Sequence, residues 1–292
     1  MKISRISIVL ITFFLLFFII SCSDTTTSIK DPGDIDEPAT LPCEINGVEY
    51  GLEIDSLTFR GINGLIIPDC IKDLSNMTRL IIDDCDIEYL PPELFEIPRL
   101  DTLYIMRTNL KEVPTNIGEL TNLNFLNITS SKITEISDGI GSLKELAYLQ
   151  LYRNELNSIP ENISKLTKLR RLWISGNSIN SLPLGIGDLV NLETLLADRN
   201  LIDALPDSFC DLTNLVSLVL KDNMLTELPN NIGNLEKLEH LDLRNNKLEK
   251  LPESIKNLKK LRMLYAQGNN FSESEKEKIK SWLPNCYCYF NW

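Results

Sequence analysis

The sequence predicts an α/β solenoid. About nine to ten short strands form a parallel sheet on its concave face. Short helical, 3-10 or extended segments return on the convex face, and a helix closes the C-terminal end. Three observations predict this. Prolines recur at Pro68, Pro91, Pro114, Pro160, Pro183, Pro206, Pro229 and Pro252 in steps of 23 residues, with one step of 46 where Ser137 fills the place. The stretches LAYLQLYRNELNSIP, LRRLWISGNSINSLP, LVSLVLKDNMLTELP and LEHLDLRNNKLEKLP superimpose without gaps on that period. Within each, leucines at the fourth and sixth places share one strand face, because strand side chains alternate at period two. No unit can bury those leucines alone, so neighbours must stack into one core.

Residues 1–21 stand outside the fold. Lys2 and Arg5 precede a 15-residue apolar run, Ile6 to Ile20, which is short for a membrane span and suits a signal peptide. Ser21 then precedes Cys22, which resembles a bacterial lipobox and implies lipidation of Cys22 as the mature N-terminus. An ordinary secretory signal followed by a free thiol is the alternative. Cleavage there removes two cations and takes the formal charge from −12 to −14. Residues 22–40, rich in Thr, Asp and Pro, read as a disordered tether with a root-mean-square span of roughly 25 Å. Ser23 and Asp24 do not resemble the inner-membrane retention pattern, which has Asp directly after the cysteine. The expected location is the cell envelope, lipid-anchored at the outer membrane, with both its inner and its surface-exposed leaflet left open.

Residues 41–67 are expected to form an N-terminal cap and a degenerate first repeat, 68–271 the repeats and 272–292 a C-terminal cap. The L-x-x-L-x-L-x-x-N-x-L phrasing with its LPxxIGxL connection resembles the 23-residue class of the leucine-rich repeat family. The resemblance covers Ile54 to Phe271 in nine clear units and one degenerate leading unit, and it implies the family's horseshoe. Asn154, Asn177, Asn200, Asn223, Asn246 and Asn269 form a column after the strands, where an amide can satisfy buried turn groups as both donor and acceptor. Ile62, Cys85, Thr108 and Ser131 replace it earlier, so the N-terminal half is expected to be less regular. At the C-terminus, Ser272 or Ser274 can cap a helix with Ile279, Trp282 and Leu283 on one face, Pro284 stops it, and CYCYF can add a last strand.

Composition limits function. The chain has 29 basic against 41 acidic residues, which argues against nucleic acid and against adsorption to anionic lipid, leaving the lipid anchor as the membrane contact. No cofactor, metal or catalytic residue is predicted, and the expected role is non-enzymatic. The one histidine, His240, could be served by Ser217 and Asp242, but a solvated strand residue is the favoured reading. Asp83, Asp84 and Asp86 lack the spaced oxygen ligands of a calcium loop and read as a solvated turn. Cys43, Cys70, Cys85, Cys210, Cys286 and Cys288 remain after Cys22, an even number that permits disulfides without assigning them. Cys43 with Cys70 is a candidate staple, while Cys85 and Cys210 read as buried thiols. The four Asn-x-Ser/Thr sites at Asn76, Asn127, Asn162 and Asn270 are coincidental beside a bacterial lipobox.

Places three, five and seven of each unit face outward on the concave sheet, a ladder of about 45 Å for ten units. Tyr104, Met106, Phe125, Tyr148, Tyr152 and Trp173 fall in four consecutive units, flanked by Ile81 and Leu196, as the only aromatic patch on that sheet. Arg107, Arg153, Arg171 and Arg199 lie beside them. Tyr, Trp and Arg dominate interface hot spots, so a protein or peptide partner is expected here. Carbohydrate or peptidoglycan binding by stacking, and a purely structural envelope role, are the alternatives.

Overall fold

The predicted alternation becomes a continuous inner sheet in the computed structural model, which describes residues 42–291. The chain enters through an antiparallel hairpin of β1 (Cys43–Ile45) and β2 (Val48–Tyr50). One strand per unit follows: β3 (Ser56–Arg60), β4 (Arg79–Asp83) and β5 (Thr102–Met106). The two-residue β6 (Glu112–Val113) intervenes before β7 (Phe125–Thr129), and β8 (Glu135–Ile136) before β9 (Tyr148–Gln150). Then come β10 (Arg171–Trp173), β11 (Thr194–Leu196), β12 (Ser217–Val219), β13 (His240–Asp242) and β14 (Met263–Tyr265). Helix α1 (Glu273–Trp282) and β15 (Tyr287–Tyr289) end the fold. Strands β3, β4, β5, β7 and β9 to β15 make one 11-stranded sheet in chain order, parallel throughout.

The register confirms the period: Leu149, Leu172, Leu195, Leu218, Leu241 and Leu264 stack directly and are fully buried. The convex returns are short 3-10 turns, most entered from the periodic proline in extended conformation. Proline suits that place because its fixed φ fits the entry and its missing N–H has no partner to lose there. Each turn buries at least one apolar residue, such as Ile117, Ile163 or Ile255.

The asparagine column behaves as its chemistry requires. The Asn200 Oδ1 accepts from the Ile179 N–H, one unit earlier, while its Nδ2 donates to Ile174 O and Ala197 O. Asn177, Asn223, Asn246 and Asn269 repeat this arrangement. In the earlier units the ladder thins as expected: the Cys85 thiol reaches only Asp83 O, and Thr108 bonds Ser131. The sheet itself does not become less regular there, contrary to expectation. Strands β3, β4, β5 and β7 run five residues and the later ones three. In later units two amides share each sixth-place carbonyl, as at Ile174 O, and regular pairing ends at the fifth place.

Both ends are covered. Cys43 and Cys70 form a disulfide joining the hairpin to the first 3-10 turn. Ser272 caps α1, its Oγ accepting from the Glu275 N–H at 3.2 Å, and Ile279 and Leu283 bury against the last repeat while Trp282 is half-buried. Phe271 and Phe290 meet edge-to-face at 5.6 Å. Cys85 and Cys210 are buried free thiols, and Cys286 and Cys288 are also unpaired by disulfide.

The concave surface as candidate site

Pleat and register place the outward residues in columns. Phe125, Tyr148 and Arg171 succeed one another at the third place, and Tyr104, Asn127, Gln150, Trp173 and Leu196 at the fifth. The side chains follow that order. Tyr104 and Phe125 rings lie 4.8 Å apart, Phe125 and Tyr148 6.0 Å, and the Arg171 guanidinium sits 5.5 Å over Tyr148. Along the fifth-place column the Asn127 amide donates to Gln150 at 2.9 Å. Tyr104, Met106, Phe125, Tyr148, Tyr152, Trp173 and Leu196 are all half-buried, and Arg107, Arg153, Arg171 and Arg199 exposed. The predicted patch is therefore contiguous, but its aromatics spend part of their surface on each other. Burial pushes the Tyr104 phenol above its ordinary range, an effect that the nearby Arg79 opposes. The Trp173 indole N–H is enclosed and has no hydrogen-bond partner.

Charge is distributed unevenly over this surface. Asp83, read from sequence as part of a solvated turn, is 1% exposed and held between Arg60 at 3.1 Å and Arg107 at 2.5 Å. It is the last residue of β4, at the seventh place of its unit, where a carboxylate so deeply buried must be paired to be tolerated. Arg153 and Arg171 make no ion pair among the described residues, and Arg199 lies 3.8 Å from Asp198 and 4.0 Å from Asp222. Arg107, Arg153 and Arg199 share a further property: each has a left-handed backbone, φ 53°, 57° and 55°.

A second aromatic group corrects the expectation of a single patch. Tyr265 and Tyr289 stack at 5.0 Å, the Arg244 guanidinium lies 5.2 Å over Tyr265, and Tyr287 is exposed beside them. The missed signal was β15: its Tyr287 and Tyr289 continue the third- and fifth-place columns after Met263 and Tyr265. On β13, the Asp242 carboxylate engages Arg244 through 2.9 and 3.0 Å bonds, and the His240 Nδ1 has no partner. Ser217, His240 and Asp242 are thus neighbours without forming a hydrogen-bonded relay.

Comparison with known proteins follows the same lines. The family profile described as leucine-rich repeat region matches residues 63–178, 154–225 and 217–281. The chain belongs to the leucine-rich repeat family. Among solved structures, this leucine-rich repeat protein resembles a TDR receptor at 27% identity and TM-score 0.68, over 75% of this chain and 40% of that one. The functional domain of InlJ from Listeria monocytogenes matches at 24% and 0.66, over 80% and 47%. The ectodomain of the Arabidopsis thaliana receptor kinase GASSHO1/SCHENGEN3, solved with Casparian strip integrity factor 2, matches at 27% and 0.61, over 74% and 29%. The chain spans less than half of each of these three. No curated protein matches.

Proposed function

We propose that this leucine-rich repeat protein is a lipid-anchored protein of the bacterial cell envelope that holds a protein or peptide partner on its concave surface, without catalysis. The observation that carries the reading is the half-buried run from Tyr104 through Phe125 to Tyr148 beside Arg153 and Arg171, which make no ion pair among the described residues, on a chain of net charge −12. Partly exposed contiguous aromatics lower solubility unless a partner covers them. Two of the similar structures support it in kind, being a receptor and a receptor ectodomain captured with another factor. Anchoring rests on Ser21 and Cys22 after the apolar run, which lie outside the described residues, and the outer membrane is the proposed location.

A photo-crosslinking amino acid in place of Gln150, on intact cells, tests the surface. It is expected to trap a defined partner, and the yield is expected to vanish in the Tyr148→Ala, Trp173→Ala double variant. Tyr148 loses its Phe125 and Arg171 contacts, about 1–2 kcal/mol, and the half-buried Trp173 loses its packing as well, so the melting temperature of the variant is read beside the yield. Equal trapping by the double variant would refute the surface. Substitution of Cys22 by Ser is expected to move the chain from the membrane to the soluble fraction.

A further inference from the structure

We propose that the concave surface receives an acidic segment in polyproline II conformation, its carboxylates three residues apart and its axis along the solenoid. This rests on the proposed docking surface and names what occupies it. The eighth place of all ten units is left-handed, and Arg107, Arg153 and Arg199 take it in alternate units, with Ser130 and Gly176 between them. It follows the seventh outward place directly, so the three arginines line one rim of the aromatic floor. A Cβ on Gly176 would lie 3.6 Å from the Arg153 Cγ, so the Arg153 stem extends along the solenoid axis over that glycine.

The spacing selects a conformation. Alternate strands of a parallel sheet are about 9.6 Å apart, two intervals of roughly 4.8 Å. A polyproline II chain advances about 9.3 Å in the three residues that return it to the same face. The mismatch over three arginines is below about 1 Å. An extended strand returns to one face after about 6.7 Å. A helix returns after seven residues, about 10.5 Å, and drifts by roughly 2 Å over the same span. Charge sets the ligand's sign: Arg153 is unpaired among the described residues, and the Arg199 and Arg107 side chains remain 64% and 53% exposed despite their carboxylate neighbours. The floor suits such a chain. Proline rings pack on aromatic faces, and Tyr104, Phe125, Tyr148 and Trp173 supply such faces, half-buried, along the floor.

The test measures anisotropy of a labelled peptide of four Glu-Pro-Pro triplets with the full chain at low salt. The comparators are a peptide of the same composition with its glutamates contiguous, a Lys-Pro-Pro peptide, and a helical peptide with glutamate every seventh residue. The triplet peptide is expected to bind about tenfold tighter than the contiguous one, and the lysine peptide not to bind. Arg153→Gly keeps the left-handed backbone that glycine adopts in the next unit, and is expected to weaken the triplet peptide about tenfold. Lys276→Glu, on α1, is expected to change nothing. Equal binding of the contiguous peptide, or tighter binding of the helical one, overturns the spacing. Absence of acidic-peptide binding overturns the inference. Crosslinking at Gln150 reads the docking surface without these peptides, so the two failures are distinguishable.

Discussion

Asn200 concentrates the logic of the repeat in one side chain. It satisfies the Ile179 N–H and two carbonyls, Ile174 O and Ala197 O, at a site only 5% exposed. Replacement by Ala orphans the Ile179 N–H in the interior, at about 1–3 kcal/mol before water enters, and leaves Ile174 O and Ala197 O with one amide donor each, from Asn177 and Asn223. Asn200→Ala is therefore expected to lower stability by about 3 kcal/mol in urea unfolding, and Thr108→Ala by less, because Thr108 bonds chiefly Ser131. Cys210 makes a different residue-scale prediction. Burial, then Asp207 and Asp211, push its thiol from 9.0 up to about 11. A raised value means that the folded state favours the protonated form. The contribution is therefore intact below pH 9 and lost as pH rises through about 11. The wild-type chain is expected to lose up to about 2–3 kcal/mol over that window relative to Cys210→Ala. Parallel pH slopes for the two chains would sink the idea.

At the scale of the element, the convex turns are fitted backbone to backbone. A Cβ on Gly187 would approach Ser208 O, and one on Gly233 Ser254 O, closer than any real contact. Gly187→Ala must therefore push neighbouring units apart and is expected to cost about 1–3 kcal/mol, read as a lowered melting temperature. Such elements were legible in the sequence because every unit repeats the same requirement: the strands, the proline entries, the amide column and the C-terminal helix all follow from the period. Three features were not. The two-residue pair β6–β8 has no pattern of its own beyond Glu112–Val113 and Glu135–Ile136. The longer early strands follow from the absence of amides, a competition that only appears once both partners are placed. The left-handed turn carries arginine at three places, and arginine does not mark that conformation. The hints in the same column were Gly61, Gly176 and Gly268, together with Asp84, Asp222 and Asn245. The aromatic floor was legible because strand alternation assigns faces, whereas its partial self-burial and the buried Asp83 depended on neighbours across the sheet.

At the largest scale, the repeats form a one-dimensional stack in which each unit touches its neighbours, so stability is distributed along it and lowest where a unit has one neighbour. The C-terminal end is covered by α1 and β15. Among the described residues the N-terminal end carries the short hairpin of β1 and β2, tied on by the Cys43–Cys70 disulfide across a separation of 27 residues. Closing a loop of that length removes about 3–4 kcal/mol of denatured-state freedom in the chain-entropy account. In a stack, that contribution is local: it holds the hairpin and β3 onto β4 and reaches distant units only through the interfaces between. Hydrogen exchange after reduction, or in a Cys43→Ser, Cys70→Ser chain, is therefore expected to accelerate over residues 42–83. Amides from β9 to β13 should keep their protection, and the concave surface around Tyr148 should keep its proposed partner. A uniform rise in exchange along the chain would show instead that the repeats unfold as one cooperative body, with the disulfide stabilising all of them together.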